Sequence, residues 1–178
     1  MTVIPIHTSN NEEGCGFFID HYFLTSGHVI TDSENPRIYV NKRWINLTNP
    51  IFYEDNRTDP DCYDLAVFDV RDDYSELELF EGDIKPGEIL KSISFKDLGE
   101  KYVECDVEVN DLREGNYFGG LTDINLKAGC SGSPVLIGNK VVGMMTKGNN
   151  NDFDMPMNPD LPLNFCIFLS SKAIKKFL

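Results

Sequence analysis

The chain has 178 residues, of which 41% are hydrophobic, and a formal net charge of −13 at pH 7. A chain of this length buries a sizeable core, so we expect one compact functional unit that is folded nearly from end to end. The acidic excess repels phosphate, which argues against nucleic-acid binding and against docking on an anionic membrane, and favours protein or peptide partners.

Short segments in which apolar and polar residues alternate recur along the chain with turn residues between them, and they predict an all-β fold. The clearest is 103–109, where apolar and acidic side chains are strictly interleaved, as in a half-buried strand. The other predicted strands are, in chain order, 16–20, 22–25, 37–40, 43–47, 65–70, 88–94, 134–137, 141–146 and 163–168.

One helix is predicted at the C-terminal end, over 170–178. Ser170 is a suitable N-cap, apolar residues return at one-turn spacing, and the late lysines suit the helix dipole. Near the middle of the chain, 81–87 is the best candidate linker, because glycine, proline and charge interrupt the strand pattern. We therefore predict two β-halves, 1–80 and 81–178.

The cellular setting is indicated by the N-terminal segment and by the cysteines. The segment 1–6 lacks the basic start and long apolar stretch of a secretory signal, and no later run is long enough to cross a bilayer. An odd number of cysteines without paired spacing favours reduced thiols over a disulfide framework. The cysteines are Cys15, Cys62, Cys105, Cys130 and Cys166. We expect a cytoplasmic setting, in a bacterium or an infected host, and the sequence leaves association with a virion open.

Three short segments carry residues that suit acyl transfer. A predicted hairpin brings His28 just past the end of a strand, Asp64 precedes an apolar strand, and Ser131 lies in a tight turn flanked by glycines. Taken singly, such a histidine is more often structural, and such an aspartate more often caps a strand or turn. The three together provide a nucleophile, a base and a group that orients the base.

The chemistry explains why these residue types belong together. A serine hydroxyl is a weak nucleophile until an imidazole removes its proton during attack. An aspartate fixes the tautomer of that imidazole and stabilises the imidazolium, while backbone N–H groups at the serine turn bind the oxyanion. The expected oxyanion-hole donors are the N–H groups of Gly129 and Ser131.

The order His28, Asp64, Ser131 and the motifs around these residues resemble the chymotrypsin-like serine proteases. The motifs are Thr-Ser-Gly-His at 25–28, Asp-Leu-Ala-Val at 64–67 and Gly-x-Ser-Gly-x-Pro at 129–134, with further matches at 122–123, 139–143 and 164–167. The nearest likeness is to the bacterial high-temperature-requirement branch. The resemblance implies two six-stranded-type antiparallel β-barrels, with His28 and Asp64 on the first and Ser131 on the second, followed by a C-terminal helix.

Two departures from the family pattern bear on regulation. Cys130 stands where digestive members carry the aspartate that pairs with a new N-terminus after zymogen cleavage, so activation by that route is not expected. The PDZ module typical of the high-temperature-requirement branch is missing from the 178 residues. Oligomeric, PDZ-gated quality control is therefore not expected.

The resemblance also suggests residues that bind substrate. Alignment with the family's substrate-binding strand gives this role to Thr146, Lys147 and Gly148, and the hydroxyl of Thr146 is predicted to hydrogen-bond Asp64.

The preference for the residue before the cleaved bond is harder to predict. Met145 occupies the position where glutamate-specific relatives carry a histidine. Asn125 falls near the base of the primary specificity pocket, where cleavage after arginine or lysine needs an aspartate. Neither an acidic nor a basic preference is predicted.

A cluster of aspartate and asparagine residues near 150–160 has oxygen ligands that calcium prefers, but its spacing matches no recognised calcium loop. We interpret it as an exposed loop, so no metal site is predicted. Its members are Asp152, Asp154, Asn158 and Asp160.

The sequence leaves two functions open. The first is a serine endopeptidase in which Ser131 is the nucleophile, His28 the base and then the acid, and Asp64 the orienting group, with no cofactor. The alternative is a protease fold that serves as a structural or binding component, for example of a viral particle with an assembly partner. Small size and acidity permit the alternative, since a fold does not fix a function.

Overall fold

The structure, a computed structural model, describes residues 3–71, 75–96, 100–124, 129–148 and 160–178. Within these ranges the strands are β1 (Ile4–Pro5), β2 (Cys15–Ile19), β3 (Tyr22–Thr25), β4 (Arg37–Val40), β5 (Arg43–Asn46), β6 (Phe52–Asp55), β7 (Asp64–Asp69), β8 (Glu78–Leu79), β9 (Ile89–Lys96), β10 (Lys101–Glu114), β11 (Tyr117–Thr122), β12 (Pro134–Ile137), β13 (Lys140–Gly148) and β14 (Phe165–Ser170). The helices are α1 (Gly27–Asp32) and α2 (Ser171–Lys175). Within the described ranges, no helix is long and apolar enough to cross a membrane.

The first half of the chain forms one sheet and one hairpin. The sheet is antiparallel, with the strand order β1, β2, β3, β7, β6, and β4 pairs with β5 in the hairpin. A bridge between His7 and Arg37 joins the hairpin to the N-terminal segment. Buried side chains of the sheet and the hairpin share one apolar cluster, which includes Phe18, Phe23 and Ile38. Burial of each such side chain contributes about 1.5–3 kcal/mol.

The second half closes into a barrel. Its antiparallel strand order is β12, β9, β10, β11, β14, β13, and β13 pairs again with β12, which completes a ring of six strands. The alternation predicted for 103–109 is confirmed in β10. Cys105, Val107 and Val109 are buried there, whereas Glu104 and Glu108 are exposed.

The two halves pack against each other through a shared apolar cluster. Phe17, Leu24 and Leu65 of the first half belong to it together with Met144 and Leu169 of the second. The predicted all-β fold with two antiparallel halves and a C-terminal helix is therefore confirmed.

Sheet membership changes between β7 and β8. β8 pairs in parallel with β13, where Glu78 lies opposite Lys140, so it belongs to the second sheet although the predicted linker begins at 81. The division into 1–80 and 81–178 stays a prediction.

The predicted N-cap of the last helix is confirmed, because Oγ of Ser170 accepts the N–H of Ala173 at 3.2 Å.

Candidate active site

His28 lies in the first turn of α1, directly after β3. The chain can turn here because of Gly27, since a Cβ at this position would lie 2.1 Å from the carbonyl oxygen of Glu54 in β6. Only glycine permits two backbones to approach so closely. Ser26, the N-cap residue, donates its hydroxyl to the carbonyl oxygen of Met145 at 3.3 Å. The start of α1 is thus tied to the second barrel.

Asp64, the first residue of β7, is 4% exposed and accepts two hydrogen bonds from His28. Its Oδ1 accepts the backbone N–H at 2.8 Å, and its Oδ2 lies 2.6 Å from Nδ1 of the imidazole. Because an ionised carboxylate can only accept, Nδ1 carries the hydrogen, and Nε2 of the neutral ring is an acceptor. The carboxylate therefore fixes both the orientation and the tautomer of the ring.

Ser131 faces the other nitrogen of the same ring, with its Oγ 3.0 Å from Nε2 of His28. Its turn is bounded by Gly129 and Gly132, which have φ angles of 103° and 89°. These conformations favour glycine. A Cβ at Gly132 would lie 1.9 Å from the carbonyl oxygen of Cys15, so the turn lies directly against β2.

The predicted oxyanion-hole donors are the N–H groups of Gly129 and Ser131. In the part of the chain that the structure describes, neither N–H group has a hydrogen-bond acceptor. An oxyanion hole requires such available donors before the substrate oxygen arrives. Their role in binding an oxyanion stays a prediction.

A buried network of thiol and hydroxyl groups supports the serine turn. Sγ of Cys15 lies 3.0 Å from Oγ of Ser133 and donates to the carbonyl oxygen of Gly129 at 3.6 Å. The Ser133 hydroxyl donates to Oγ of Ser94 at 2.8 Å, and the N–H of Cys15 donates to the carbonyl oxygen of Ser131 at 3.0 Å. Burial raises the pKa of Cys15 to about 11, so its thiol stays neutral at neutral pH.

The predicted hydrogen bond between Thr146 and Asp64 is wrong. The Thr146 hydroxyl instead donates to the carbonyl oxygen of Ile167 in β14 at 3.1 Å. The register of β13 against β14 shifts between Met145 and Lys147, which makes Thr146 the extra residue of a bulge. A bulge redirects a side chain, and no sequence pattern marked this one.

Lys147, the second residue predicted to bind substrate, lies beside Asp64. Its Nζ donates to the carbonyl oxygen of Arg57 at 3.0 Å. Partial burial lowers the pKa of Lys147, and the nearby carboxylates of Asp64 and Glu114 act in the opposite direction. A cavity of about 80 Å³ is lined by these residues, Arg57, Asp64, Glu114 and Lys147. Gly148, the third predicted residue, ends β13.

Asn125, predicted near the base of the specificity pocket, lies outside the described residues. So do Asp152, Asp154 and Asn158, which the sequence analysis interpreted as part of an exposed loop and not as a metal site. Within the described ranges, no group of three or more histidine, cysteine, aspartate and glutamate side chains could hold a metal ion. All five cysteines are free thiols.

Tyr117 contacts the site although no sequence pattern singles it out. Its hydroxyl oxygen accepts the backbone N–H of Asp64 at 2.9 Å. Burial, together with the charge of Asp64, raises the pKa of Tyr117, so the phenol stays neutral. Tyr117 begins β11, and the adjacent Gly119 and Gly120 weaken the strand pattern there. The role of Cys15 was also not predicted, because its contacts with the serine turn join distant parts of the chain.

The six-stranded barrel, the second antiparallel sheet and the Ser131–His28–Asp64 geometry define the class of chymotrypsin-like serine-protease folds. A scan against models of protein families matches residues 14–144 to the trypsin-like peptidase domain. The chain therefore belongs to the trypsin-like peptidase family. A search of curated proteins finds no match.

Comparison with solved structures supports the same fold. The active form of the Rv3671c protease from M. tuberculosis has a TM-score of 0.74 and 16% identity, over 99% of this chain and 79% of that one. The serine protease of a human pathogenic astrovirus has a TM-score of 0.65 and 14% identity, over 95% and 88%. An inactivated protease paralogue of the scabies mite has a TM-score of 0.69 and 12% identity, over 95% and 86%. The likeness confirms the chymotrypsin-like fold, and the link to the high-temperature-requirement branch stays a prediction.

Proposed function

We propose that the chain is a serine endopeptidase that hydrolyses peptide bonds through an acyl-enzyme intermediate. One observation carries the proposal, a continuous hydrogen-bonded path from Asp64 through His28 to Ser131, with contacts of 2.6 and 3.0 Å. Such a path supplies an orienting carboxylate, a base and a nucleophile. Membership of the trypsin-like peptidase family supports the same class of reaction.

In the proposed acylation, Oγ of Ser131 attacks the carbonyl carbon of the peptide bond while Nε2 of His28 takes the hydroxyl proton. The oxyanion that forms accepts hydrogen bonds from the N–H groups of Gly129 and Ser131. His28 then gives its proton to the leaving nitrogen, the C–N bond breaks, and the acyl group stays on Ser131 as an ester.

In the proposed deacylation, water attacks this ester while His28 again acts as the base. The proton then passes to Oγ of Ser131, the ester C–O bond breaks, and the carboxylic product leaves. Asp64 stays ionised throughout and stabilises the imidazolium at each step. The proposed reaction uses only these side chains, two backbone N–H groups and water.

The proposed substrate is a protein or a peptide. The carbonyl oxygen of Thr146 lies 3.4 Å from Oγ of Ser131, so the backbone of β13 runs past the nucleophile. This supports binding of an extended peptide along Thr146, Lys147 and Gly148 by main-chain hydrogen bonds. The free thiols suit the cytoplasmic setting, which is part of the proposal.

A fluorophosphonate probe tests the proposal, because it reacts only with an activated serine. The wild-type protein should be labelled at Ser131, as located by peptide mass spectrometry, and should degrade casein. Labelling should disappear in Ser131→Ala and in His28→Ala. The exposed Ser9 provides a matched control, since Ser9→Ala should be labelled like the wild type.

The alternative function predicts a different result. A protease fold retained as a structural or binding component, for example in a viral particle, would show no labelling in the free or assembled protein. One structural relative is described as an inactivated protease paralogue, so the fold by itself does not decide between the two. Labelling that persists in His28→Ala would also contradict the endopeptidase proposal.

A further inference from the structure

The turn between β10 and β11 reaches from the second barrel to the segment 60–64, which leads into β7. Gly115 in this turn has a φ of 58°, and a Cβ there would lie 2.2 Å from the carbonyl oxygen of Pro60. A side chain would push the turn and the segment apart. Contact between two backbones from different halves of the chain is therefore built into this turn.

Residues 115–117, here called the clamp, bind the segment 60–64 through its backbone. The N–H of Asn116 donates to the carbonyl oxygen of Pro60 at 2.9 Å, and Nδ2 of Asn116 donates to that of Asp61 at 3.2 Å. The N–H of Asp64 donates to the hydroxyl oxygen of Tyr117 at 2.9 Å. These bonds run along the residues that lead directly to the carboxylate of the triad.

The clamp is itself held firmly by the second barrel. Tyr117 pairs with Leu169 across β11 and β14, and its ring belongs to the apolar cluster between the halves. The carbonyl oxygen of Asn116 accepts the N–H of Ser170 at 2.9 Å. An element that is hydrogen-bonded and packed within the second half therefore also binds a segment of the first half.

The carboxylate of Asp64 has few other supports. Among the described residues, both hydrogen bonds that it accepts come from His28. The Thr146 hydroxyl, which the sequence predicted as a further donor, is bound to Ile167 instead. The position of this carboxylate must then follow from the backbone of Asp64.

We propose that Asn116 and Tyr117 are positioning residues, which hold the backbone at Asp64 so that its carboxylate meets Nδ1 of His28. The proposal deepens the endopeptidase function and rests on it for its kinetic consequences. Small displacements of a reacting group have large effects on rate. A loosened clamp therefore reduces turnover without removing any group that contacts the substrate.

Tyr117→Phe tests the hydroxyl alone, because the ring and its packing remain. Loss of the hydrogen bond to the Asp64 N–H should displace the carboxylate and reduce kcat about tenfold, which corresponds to a rise of about 1.4 kcal/mol in the activation free energy. KM should change less than about twofold, since the substrate contacts stay. Tyr102→Phe is the matched control, because Tyr102 is 53% exposed on the same pair of strands, and its kinetics should equal those of the wild type. A fall in kcat of equal size in both variants would overturn the proposal.

A second readout does not require activity. A short N–H···O hydrogen bond between imidazole and carboxylate gives a low-field proton resonance, which reports directly on the contact between Nδ1 of His28 and Asp64. The resonance should move to higher field or broaden in Tyr117→Phe and in Asn116→Ala. It should be unchanged in Asn139→Ala, which alters an exposed asparagine in the turn between β12 and β13.

The two readouts separate the proposals. If the wild type is not labelled by the fluorophosphonate but the His28 resonance moves in the clamp variants, the endopeptidase function fails and the positioning role stands. If all variants are folded by circular dichroism and the resonance stays unchanged in Tyr117→Phe and Asn116→Ala, the positioning role is overturned.

Discussion

The two ends of the triad are supported in different ways. At the Ser131 end the support is a network of neutral, buried groups, in which Sγ of Cys15 lies 3.0 Å from Oγ of Ser133. At the Asp64 end the support is a contact between the two halves, in which the hydroxyl oxygen of Tyr117 accepts the backbone N–H of Asp64 at 2.9 Å. The nucleophile is thus positioned by close packing around its turn, and the carboxylate by the docking of one half on the other.

Removal of the nucleophile should have the largest effect. Ser131→Ala removes one oxygen and should lower turnover of casein by about six orders of magnitude, as in a comparable serine peptidase. The melting temperature should stay close to that of the wild type. Equal degradation of casein by purified mutant and wild type, with contaminating proteases excluded, would contradict the role of Ser131.

Loss of charge at the other end should have the next largest effect. Asp64→Asn keeps the shape but lets the imidazole take the wrong tautomer, and turnover should fall by about four orders of magnitude. Asp69→Asn, at the exposed end of the same strand, is the control and should keep full activity. If Asp64→Asn keeps most activity, another aspartate orients His28, and Asp61 is the nearest in sequence.

The thiol network predicts a loss of stability at high pH. Burial raises the pKa of Cys15 from 9.0 to about 11, so the folded state favours the protonated thiol. The contribution of the protonated Cys15 thiol to the free energy of unfolding is complete below pH 9. It is lost as the pH rises from 9 to about 11, and the loss amounts to about 3 kcal/mol. Urea unfolding at pH 8, 9.5 and 10.5 measures this loss.

Matched cysteine variants identify the source of that loss. Cys15→Ser removes one buried titrating thiol and should weaken the dependence on pH, whereas Cys62→Ser, at a less buried position, should change it less. Burial also raises the pKa values of Cys105 and Cys166 from 9.0 to about 12, so their contributions to stability are lost over the same pH range and beyond it, and Cys15→Ser should remove only part of the dependence on pH. Stability that is constant from pH 8 to 10.5, or equally dependent on pH in Cys15→Ser, would contradict the role of the network.

The smallest effect is expected at Lys147. Its charge lies near Asp64 but is partly exposed to solvent, so Lys147→Met should raise KM by about threefold or less and leave kcat unchanged. Lys176→Met, in an exposed position near the C-terminal end, serves as the control. Michaelis–Menten kinetics with a peptide substrate would measure both. A tenfold fall in kcat would instead show that Lys147 acts on the triad.

The sequence predicted those parts of the molecule that depend on local patterns. The strands at Tyr22–Thr25, Arg37–Val40 and Pro134–Ile137 have the predicted bounds, because alternation and flanking turn residues are local signals. The approach of His28, Asp64 and Ser131 was also expected, since each lies in a short motif in the family's order.

The unpredicted parts depend on contacts between distant residues. Helix α1 has six residues, too few to show helical periodicity, and β11 contains adjacent glycines. The bulge that turns Thr146 towards Ile167 exists only in the pairing of β13 with β14. The contacts of Cys15 and Tyr117 likewise follow from docking, which a single sequence does not reveal.

The most direct test of the account is to detect the acyl-enzyme itself. The purified protein would be mixed with a slowly hydrolysed peptide ester, quenched in acid within milliseconds to seconds, and analysed by intact and peptide mass spectrometry. The account predicts one added acyl group on Ser131, which disappears with time and is absent from Ser131→Ala and His28→Ala. An acyl group on another residue, or hydrolysis with no adduct on Ser131 at any time, would contradict it.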